Sequence, residues 1–520
     1  MIDTGLVAPF LPEIVLLAAT LLVFLLDVLG VRRIEVSGAI GVAGIGIAAL
    51  LVVADLGFAP LAGLATVPAG QINAAGTTNL WAFTSLGLIF QLIFLTSAFL
   101  VGLASVSRPS GERGAAIFYG LLTLATLGML LVAIANDLIF LLLAIELTSI
   151  ATYLLVAYTR SDVRSLEAAM KFYIIGALST TLSFFGASLL YGAYGTTNLT
   201  AIAGLGSAGV PTLVLLGYGF LIAGLAFKVT LVPFHAWAVD VYDGAPTDVS
   251  AFLAGGTKKI GLFAFFLVFL GPILALKASG GSTLPFGTGV YNLGPVLQLT
   301  LAVVAVLTMT FGNLLALLQK EMKRMLAYSS ISQAGYMLIG VTVGTAPAVA
   351  GATFQIFAHV LMKGGAFLVV AGVAALGVGP LISDWKGLGT RRPLLGVAFG
   401  LMLLSLAGVP LTIGFVSKFV LFSSAVEAQG YFVWLAVAGL LNSALSVFYY
   451  GRVLKVMFFD TPDAGAAPTV SSTLGAGGLG YGRAAAIGIV AVTILALGIY
   501  PQPVLGAIQS AAQHFVNLGV

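Results

Sequence analysis

Apolar stretches of about twenty residues, the length a helix needs to cross a bilayer, recur along this chain from one end to the other. Fourteen candidates lie near 10–30, 35–56, 80–106, 114–135, 137–158, 168–193, 212–236, 246–270, 296–318, 325–344, 348–377, 396–427, 431–458 and 484–510. Of the 520 residues, 60% are hydrophobic and 8% charged, against roughly a quarter charged in a soluble domain. The mean hydropathy is +1.13. A water-soluble globule of this length cannot hide so much apolar surface, so lipid is the expected solvent. The expected fold is all-α: one polytopic membrane domain over 1–520 with about 14 transmembrane helices. The 65 glycines suit close helix packing in a membrane. The longest loops, around 57–79, 271–295 and 459–483, are rich in Gly, Ala, Thr and Pro and read as connectors.

Basic residues test this count. The odd-numbered loops hold Arg32, Arg33, Arg108, Arg113, Arg160, Arg164, Lys320, Lys323, Arg324, Lys386, Arg391, Arg392, Arg452, Lys455 and Arg483, whereas the even-numbered loops hold only Lys277. A wrong count would scramble that alternation. The positive-inside rule then puts the odd loops in the cytoplasm and both termini on the outer side. The first apolar stretch contains Glu13 and Asp27, lacks a basic start and has no small-residue cleavage pattern, so no cleavable signal is expected.

Two spans carry internal prolines, Pro233 in the seventh and Pro410 in the twelfth. An interior proline removes a backbone hydrogen bond and breaks a helix. In a membrane a break survives where it is buried in protein or lines a watery path. The breaks are five spans apart, which suggests two five-helix repeats, 111–270 and 296–458, after N-terminal helices 1–3 (1–110) and before a last helix at 484–510. Five is odd, so the second copy would be inverted, as in many transporters.

The remaining basic residues lie within spans: Lys171, Lys228, Lys258, Lys259, Lys363 and Lys418, with the acid Glu146 in span five. Each such charge at mid-bilayer costs about 2.5–3.5 kcal/mol on insertion scales. Burial and like charges push a lysine toward neutrality and a nearby carboxylate pulls it back, so a chain of lysines can pass protons. The bland alternative is a set of structural ion pairs between helices. Glu146 is the expected counter-ion of Lys228. Lys171 stands at i,i+4 from Glu167, so a surface pair is its rival reading. His235 follows the Pro233 break, where a histidine either packs or carries a proton. His359 and Lys363 are four apart on one helix face, as a relay segment or a polar helix contact. His514, near the C-terminal end, is expected to be uninvolved. The candidate site is therefore Glu146, Lys171, Lys228, His235, Lys258, His359, Lys363 and Lys418.

The chain has no cysteine, which excludes disulfides and cysteine-ligated iron–sulfur or zinc sites. It has three widely separated histidines and neither a Walker loop nor a dinucleotide fingerprint after a strand. No metal, nucleotide or flavin is therefore expected on this chain. The net charge of +4 falls in membrane-flanking loops and does not indicate nucleic acid.

Long motifs carry a family resemblance. The stretch Gly224-Leu-Ala-Phe-Lys228-Val-Thr-Leu-Val-Pro233-Phe-His235-Ala-Trp237 through Asp240, Tyr242, Gly244, Pro246 and Thr247 resembles the signature of the antiporter-like membrane subunits of respiratory complex I, the proton-pumping NADH:quinone oxidoreductase. So does Lys323-Arg324-Met-Leu-Ala-Tyr328-Ser329-Ser330 through Gly335 and Tyr336. The opening Leu11-Pro12-Glu13, the stretch Glu167 to Lys171, and Gly408-Val-Pro410 through Gly414 and Lys418 are similar to the subunit N type. The resemblance covers nearly the whole chain. It implies fourteen transmembrane helices, two inverted five-helix repeats, and a translocase subunit with no redox chemistry of its own, driven by quinone reduction elsewhere. By motif match, Glu146 and Lys228 would be the paired acid and lysine of one half-channel, Lys258 the central connecting lysine, and Lys418 the lysine of the other half-channel. Lys171 matches a family lysine between these.

The implied cofactors sit on partner subunits: NADH or another donor (ferredoxin or a deazaflavin), FMN, iron–sulfur clusters and quinone. The implied partners are the neighbouring antiporter-like subunit M, the small subunits K, J and A, and the lipid bilayer. The implied location is the bacterial inner (plasma) membrane, with the thylakoid membrane as alternative. This chain departs from the type in span eleven, where His359 and Lys363 replace an aromatic and a neutral amide, and at Lys259, an extra basic neighbour of Lys258. The His-x-x-x-Lys arrangement is more similar to subunits of multi-subunit sodium/proton antiporters, which is the alternative function.

Overall fold

The computed structural model describes residues 7–31, 33–67, 72, 80–106, 114–205, 210–278, 293–461 and 479–518. Arg32, Arg108 and Arg113, both chain ends, and much of the three long connectors lie outside the described residues. The described chain is built from helices and holds no strand beyond isolated bridges.

In chain order the main helices are α1 (Leu11–Val28), α2 (Ile34–Asp55), α3 (Ser85–Ser105), α4 (Ala115–Ala133), α5 (Leu138–Val156), α6 (Val163–Tyr194), α7 (Thr212–Val229) and α8 (Ala236–Gly244). There follow α9 (Thr247–Ala275), α10 (Leu293–Leu318), α11 (Met322–Val343), α12 (Ala346–Ala375), α13 (Pro393–Ala407), α14 (Ile413–Glu427), α15 (Phe432–Phe458), α16 (Tyr481–Ile499) and α17 (Gln502–Leu518). Twelve helices among the described residues are long and apolar enough to cross a bilayer, and the protein is a multi-pass membrane protein.

The fourteen-span expectation differs from this at two places. The stretch 325–344 is a 22-residue helix, α11, but a polar one that carries Lys323, Arg324, Ser329, Ser330, Ser332 and Gln333. The stretch 396–427 is two helices of 15 residues each, α13 and α14, and each rises only about 22 Å against an apolar core of about 30 Å. The stretch 484–510 also divides. Tyr500 and Pro501 end α16, and α17 follows as a separate helix that buries Leu505, Ile508, Ala511, Ala512 and Phe515.

Both proline sites break their helices. α7 ends at Val229, capped by Thr230, and α8 begins at Ala236. α13 ends at Ala407, capped by Gly408, and α14 begins at Ile413. Among the described residues, three that are not glycine have positive φ: Thr230, Leu411 and Gln429. Two of these sit at the breaks. A β-branched or bulky residue is strained there and persists only where surrounding packing holds it. Two further irregularities have no proline: π turns at Leu253–Thr257 in α9 and at Val360–Gly364 in α12. They lie against each other, since a Cβ on Gly255 would be 3.7 Å from the Cα of Gly364. Single π turns inside α-helices are rare and cluster at functional sites.

Candidate functional site

The buried basic side chains form a row through the middle of the helix bundle. It starts on α5, whose N-terminus is capped by Asp137: the carboxylate accepts from the backbone N–H of Ile139 (2.9 Å) and Phe140 (3.0 Å), and Thr197 also donates to it. That cap sets the register of the helix. Glu146 and Ser149, three residues apart, then share one face. Glu146 is half-buried and accepts from the Thr180 hydroxyl on α6 at 2.7 Å.

Lys228 stands in the last turn of α7, just before the break. A cation suits the carbonyl end of a helix. Its ammonium donates to the Ser149 hydroxyl and lies 5.9 Å from the ring centroids of both Tyr153 and Phe172. Trp237, just past the break, donates its indole N–H to the carbonyl of Phe227 (3.2 Å) and stacks on Phe172. A small cavity of about 20 Å³ adjoins the lysine, with Ser149, Ser179, Thr180 and Ser183 in its wall. Hydroxyls around a cavity of that size can hold about one water beside Lys228.

The row continues onto α9. A Cβ on Gly261 would meet the Cβ of Lys228 at 3.2 Å, so this helix lies directly against the lysine, and Lys258 is one turn earlier. The Lys258 ammonium donates to the carbonyl (3.1 Å) and hydroxyl (3.0 Å) of Ser330 on α11 and lies 5.7 Å from the Tyr242 ring centroid. The adjacent Ser329 accepts from Lys363 of α12 at 2.5 Å. The Ser329–Ser330 pair thus joins Lys258 to Lys363. Lys363 also reaches the Tyr450 hydroxyl on α15 at 3.5 Å. Lys259 turns elsewhere, its Nζ 2.7 Å from His359 Nδ1.

At the second break the geometry explains itself. Ending α13 at Ala407 leaves its last carbonyls without helical partners, and Lys418 of α14 supplies the donor. Its ammonium donates to the carbonyls of Leu406 (2.7 Å) and Ala407 (3.1 Å) and to the Ser443 hydroxyl on α15 (2.8 Å). Its charge also lies 5.3 Å from the Tyr336 ring centroid. A hydrogen-bonded chain ties this end back toward His359: Ser417 donates to Gln355 (2.5 Å), and Gln355 donates to Gln333 (2.8 Å).

Lys228, Lys258, Lys259, His359, Lys363 and Lys418 are all buried, none more than 6% exposed. Among the described residues no carboxylate forms an ion pair with any of them. Hydroxyls, backbone carbonyls and ring faces hold Lys228, Lys258, Lys363 and Lys418 instead, as a buried charge without a counter-ion requires, whereas Lys259 and His359 face each other.

The family described as NADH:quinone oxidoreductase/Mrp antiporter, TM, matches residues 135–446, which include all of this row. The chain belongs to this family. It is 38% identical over 521 residues to F(420)H(2) dehydrogenase subunit N of Methanosarcina mazei, covering 97% of this chain and 98% of that protein. It is 39% identical over 406 residues to NADH-quinone oxidoreductase subunit N of Trichlorobacter lovleyi, covering 76% of this chain and 79% of that one. Among solved structures, a chain of respiratory complex I from Thermus thermophilus with bound aureothin superposes with a TM-score of 0.74 at 29% identity, covering 96% of this chain and 99% of that chain.

Within this family framework the structure distributes the expected residues unevenly. Lys228, Lys258, His359, Lys363 and Lys418 fall in the row. Glu146 sits at its edge and contacts Thr180 rather than Lys228, so the expected acid–lysine pair is separated by hydroxyls. His235 is half-buried at the first break, and its Nδ1 has no hydrogen-bond partner among the described residues. Lys171 stands apart. Its side chain is 43% exposed and pairs with Glu167 at 2.8 Å and Asp240 at 3.0 Å, and Asp240 also binds Arg324 at 3.2 Å. Ser149, Ser329, Ser330, Ser443 and Tyr450 were not expected. Serine is common in membrane helices, and only its position opposite a lysine marks it. Glu13 is likewise more deeply buried than Glu146, accepting from Gln91 at 2.7 Å.

Proposed function

We propose that this chain is the subunit N-type, proton-translocating membrane subunit of a complex I-type quinone oxidoreductase. The observation that carries this reading is the row of buried lysines and histidine crossing α7, α9, α12 and α14 without a carboxylate ion pair among the described residues, inside a chain related over nearly its full length to subunit N proteins. In this reading Glu146 modulates Lys228 through the hydroxyl-lined cavity, and Lys228 loads a proton. Lys258, His359 and Lys363 pass it laterally, with His235 assisting at the first break, and Lys418 hands it to the outer side. Lys171 lies in a surface cluster and holds α8 against α6 and α11. Residues 111–270 and 296–458 act as two inverted half-channels.

The electron donor is NADH, a deazaflavin or a ferredoxin, and it reacts with FMN, iron–sulfur clusters and quinone on other subunits. The neighbours are subunits M, K, J and A. The membrane is the bacterial plasma membrane, with the odd loops inside and both termini outside. Contacts among these loops and the adjoining helix ends support their sharing one side, which the positive-inside rule makes the cytoplasm: Arg324 pairs with Asp240, and Arg452 donates to the carbonyls of Leu317 (3.1 Å) and Gln319 (2.6 Å).

The test is Lys228→Ala and Lys258→Ala in the whole complex, reconstituted in vesicles. The expected result is normal assembly and quinone reduction with a lowered proton yield per electron. Unchanged yield in both variants removes the relay. His359 favours a second reading, a sodium/proton antiporter subunit. That reading gains if the chain co-purifies with small cation-antiporter subunits alone and supports sodium-dependent antiport in membranes lacking quinone reductase activity.

A further inference from the structure

Lys258 and Lys259 are consecutive, yet their ammonium groups serve different helices. The π turn at Leu253–Thr257 ends immediately before them. Lys258 faces Ser330 on α11. Lys259 faces α12, where its Nζ lies 2.7 Å from His359 Nδ1, and its other contact is the Met337 thioether at 3.9 Å, a weak acceptor. Both side chains are completely buried, and His359 Nε2 has no partner among the described residues. The other ionisable groups acting on this pair are Lys258 and Lys363.

Two nitrogens 2.7 Å apart share one proton between them. An ammonium facing an N–H would place two donors against each other, so when the pair is positively charged it carries one charge in one of two arrangements. In the first, the Lys259 ammonium donates to the bare Nδ1 and Nε2 carries the ring proton. In the second, the Lys259 amine accepts from Nδ1–H of an imidazolium. Passing from the first to the second breaks one Nζ–H bond, forms one Nδ1–H bond and requires no helix motion. The imidazolium then releases the proton already on Nε2, leaving a neutral ring protonated at Nδ1. The acceptor is Lys363 in its neutral form, one turn along α12, reached through a water.

We propose that Lys259 is a proton-carrying residue that feeds His359 through Nδ1, forming a second branch between α9 and α12 beside the Lys258–Ser330–Ser329–Lys363 contact. This rests on the relay reading above.

The experiment measures protons released per electron in the reconstituted complex for Lys228→Ala, Lys259→Met, Lys259→Arg and His359→Gln, with assembly and quinone reduction as controls. Lys259→Arg keeps the charge and a donor toward Nδ1 but holds its protons permanently. His359→Gln keeps an oxygen to accept from Lys259 but has no second site to pass a proton onward. The expected result is that Lys259→Met, Lys259→Arg and His359→Gln each lower the yield toward that of Lys228→Ala, and that Lys259→Met combined with His359→Gln is no worse than either alone. A parental yield in assembled Lys259→Arg makes Lys259 a structural cation and overturns the branch, as does a parental yield in His359→Gln. If Lys259→Met fails to assemble, the arginine and glutamine variants decide. A parental yield in Lys228→Ala, by contrast, overturns the relay as a whole.

Discussion

Gly224→Ala is expected to loosen the α6–α7 contact on which the Lys228 site is built. A Cβ at this position would lie 2.0 Å from the Ser183 hydroxyl, 2.7 Å from the Ser179 carbonyl oxygen and 2.9 Å from the Ser183 nitrogen. The hydroxyl can rotate away, but the two backbone atoms cannot, so the helices must separate. Overpacking of this kind costs about 1–3 kcal/mol. The separation also weakens the hydrogen bond from the Ser179 hydroxyl to the Gly224 carbonyl, 2.6 Å long, and such interhelical bonds contribute about 0.6–1.7 kcal/mol in membranes. Together the loss is about 2–4 kcal/mol.

Equilibrium unfolding in mixed SDS–detergent micelles measures it, with Gly219→Ala as control, since a Cβ there meets nothing within 4 Å. Adding Ser183→Ala to Gly224→Ala should recover less than half of the loss, because the backbone contacts remain. Gly224 also lines the cavity beside Lys228, so the same variant should lower proton yield. Equal stability of Gly224→Ala and Gly219→Ala would refute the packing argument.

Ser330→Ala removes one acceptor of the Lys258 ammonium and leaves the carbonyl of the same residue in place. A bond to a charged group contributes about 1.5–3 kcal/mol, so slower proton release is expected, with Ser330→Thr restoring it in the vesicle assay. Lys171→Gln disrupts only an exposed, solvent-screened cluster. It should leave the proton yield near that of the parent, and a loss as large as that of Lys228→Ala would return Lys171 to the relay.

Much of this architecture was legible because a bilayer tolerates so few alternatives. Each span must be apolar for its whole length, and interior prolines mark where a helix stops. Pro233 and Pro410 therefore located both breaks. The π turns left no comparable mark, although Gly255-Gly256 and Gly364-Gly365 stand at each of them. An inserted residue turns everything after it by about 100° relative to a regular helix. Which helix Lys258 and Lys259 would each face could not be deduced from a 3.6-residue period for that reason. Direct pairing of Glu146 with Lys228 was the natural expectation from opposite charges, but the structure interposes Ser149 one turn further along α5. The apolar run at 484–510 concealed α17, because the helix boundary there depends on Tyr500 and Pro501 rather than on a change in hydropathy.

The absence of carboxylate ion pairs with the buried lysines, among the described residues, bears on how such a row can work. A buried acid beside each lysine would hold it charged, and breaking any such pair would leave an isolated ion. Hydroxyls, carbonyls and ring faces accept from an ammonium, and a serine hydroxyl can also donate to a neutral amine, so both forms of the lysine find partners. Lys418 illustrates this at the second break, where open carbonyls and Ser443 together take its protons. Glu146 differs in being half-buried and one helical turn from the Ser149 that holds Lys228. A charge change at Glu146 would be felt first by Lys228 and only through it by Lys258. The row therefore has a direction built in, with its acid at one end and the carbonyl-lined break at the other.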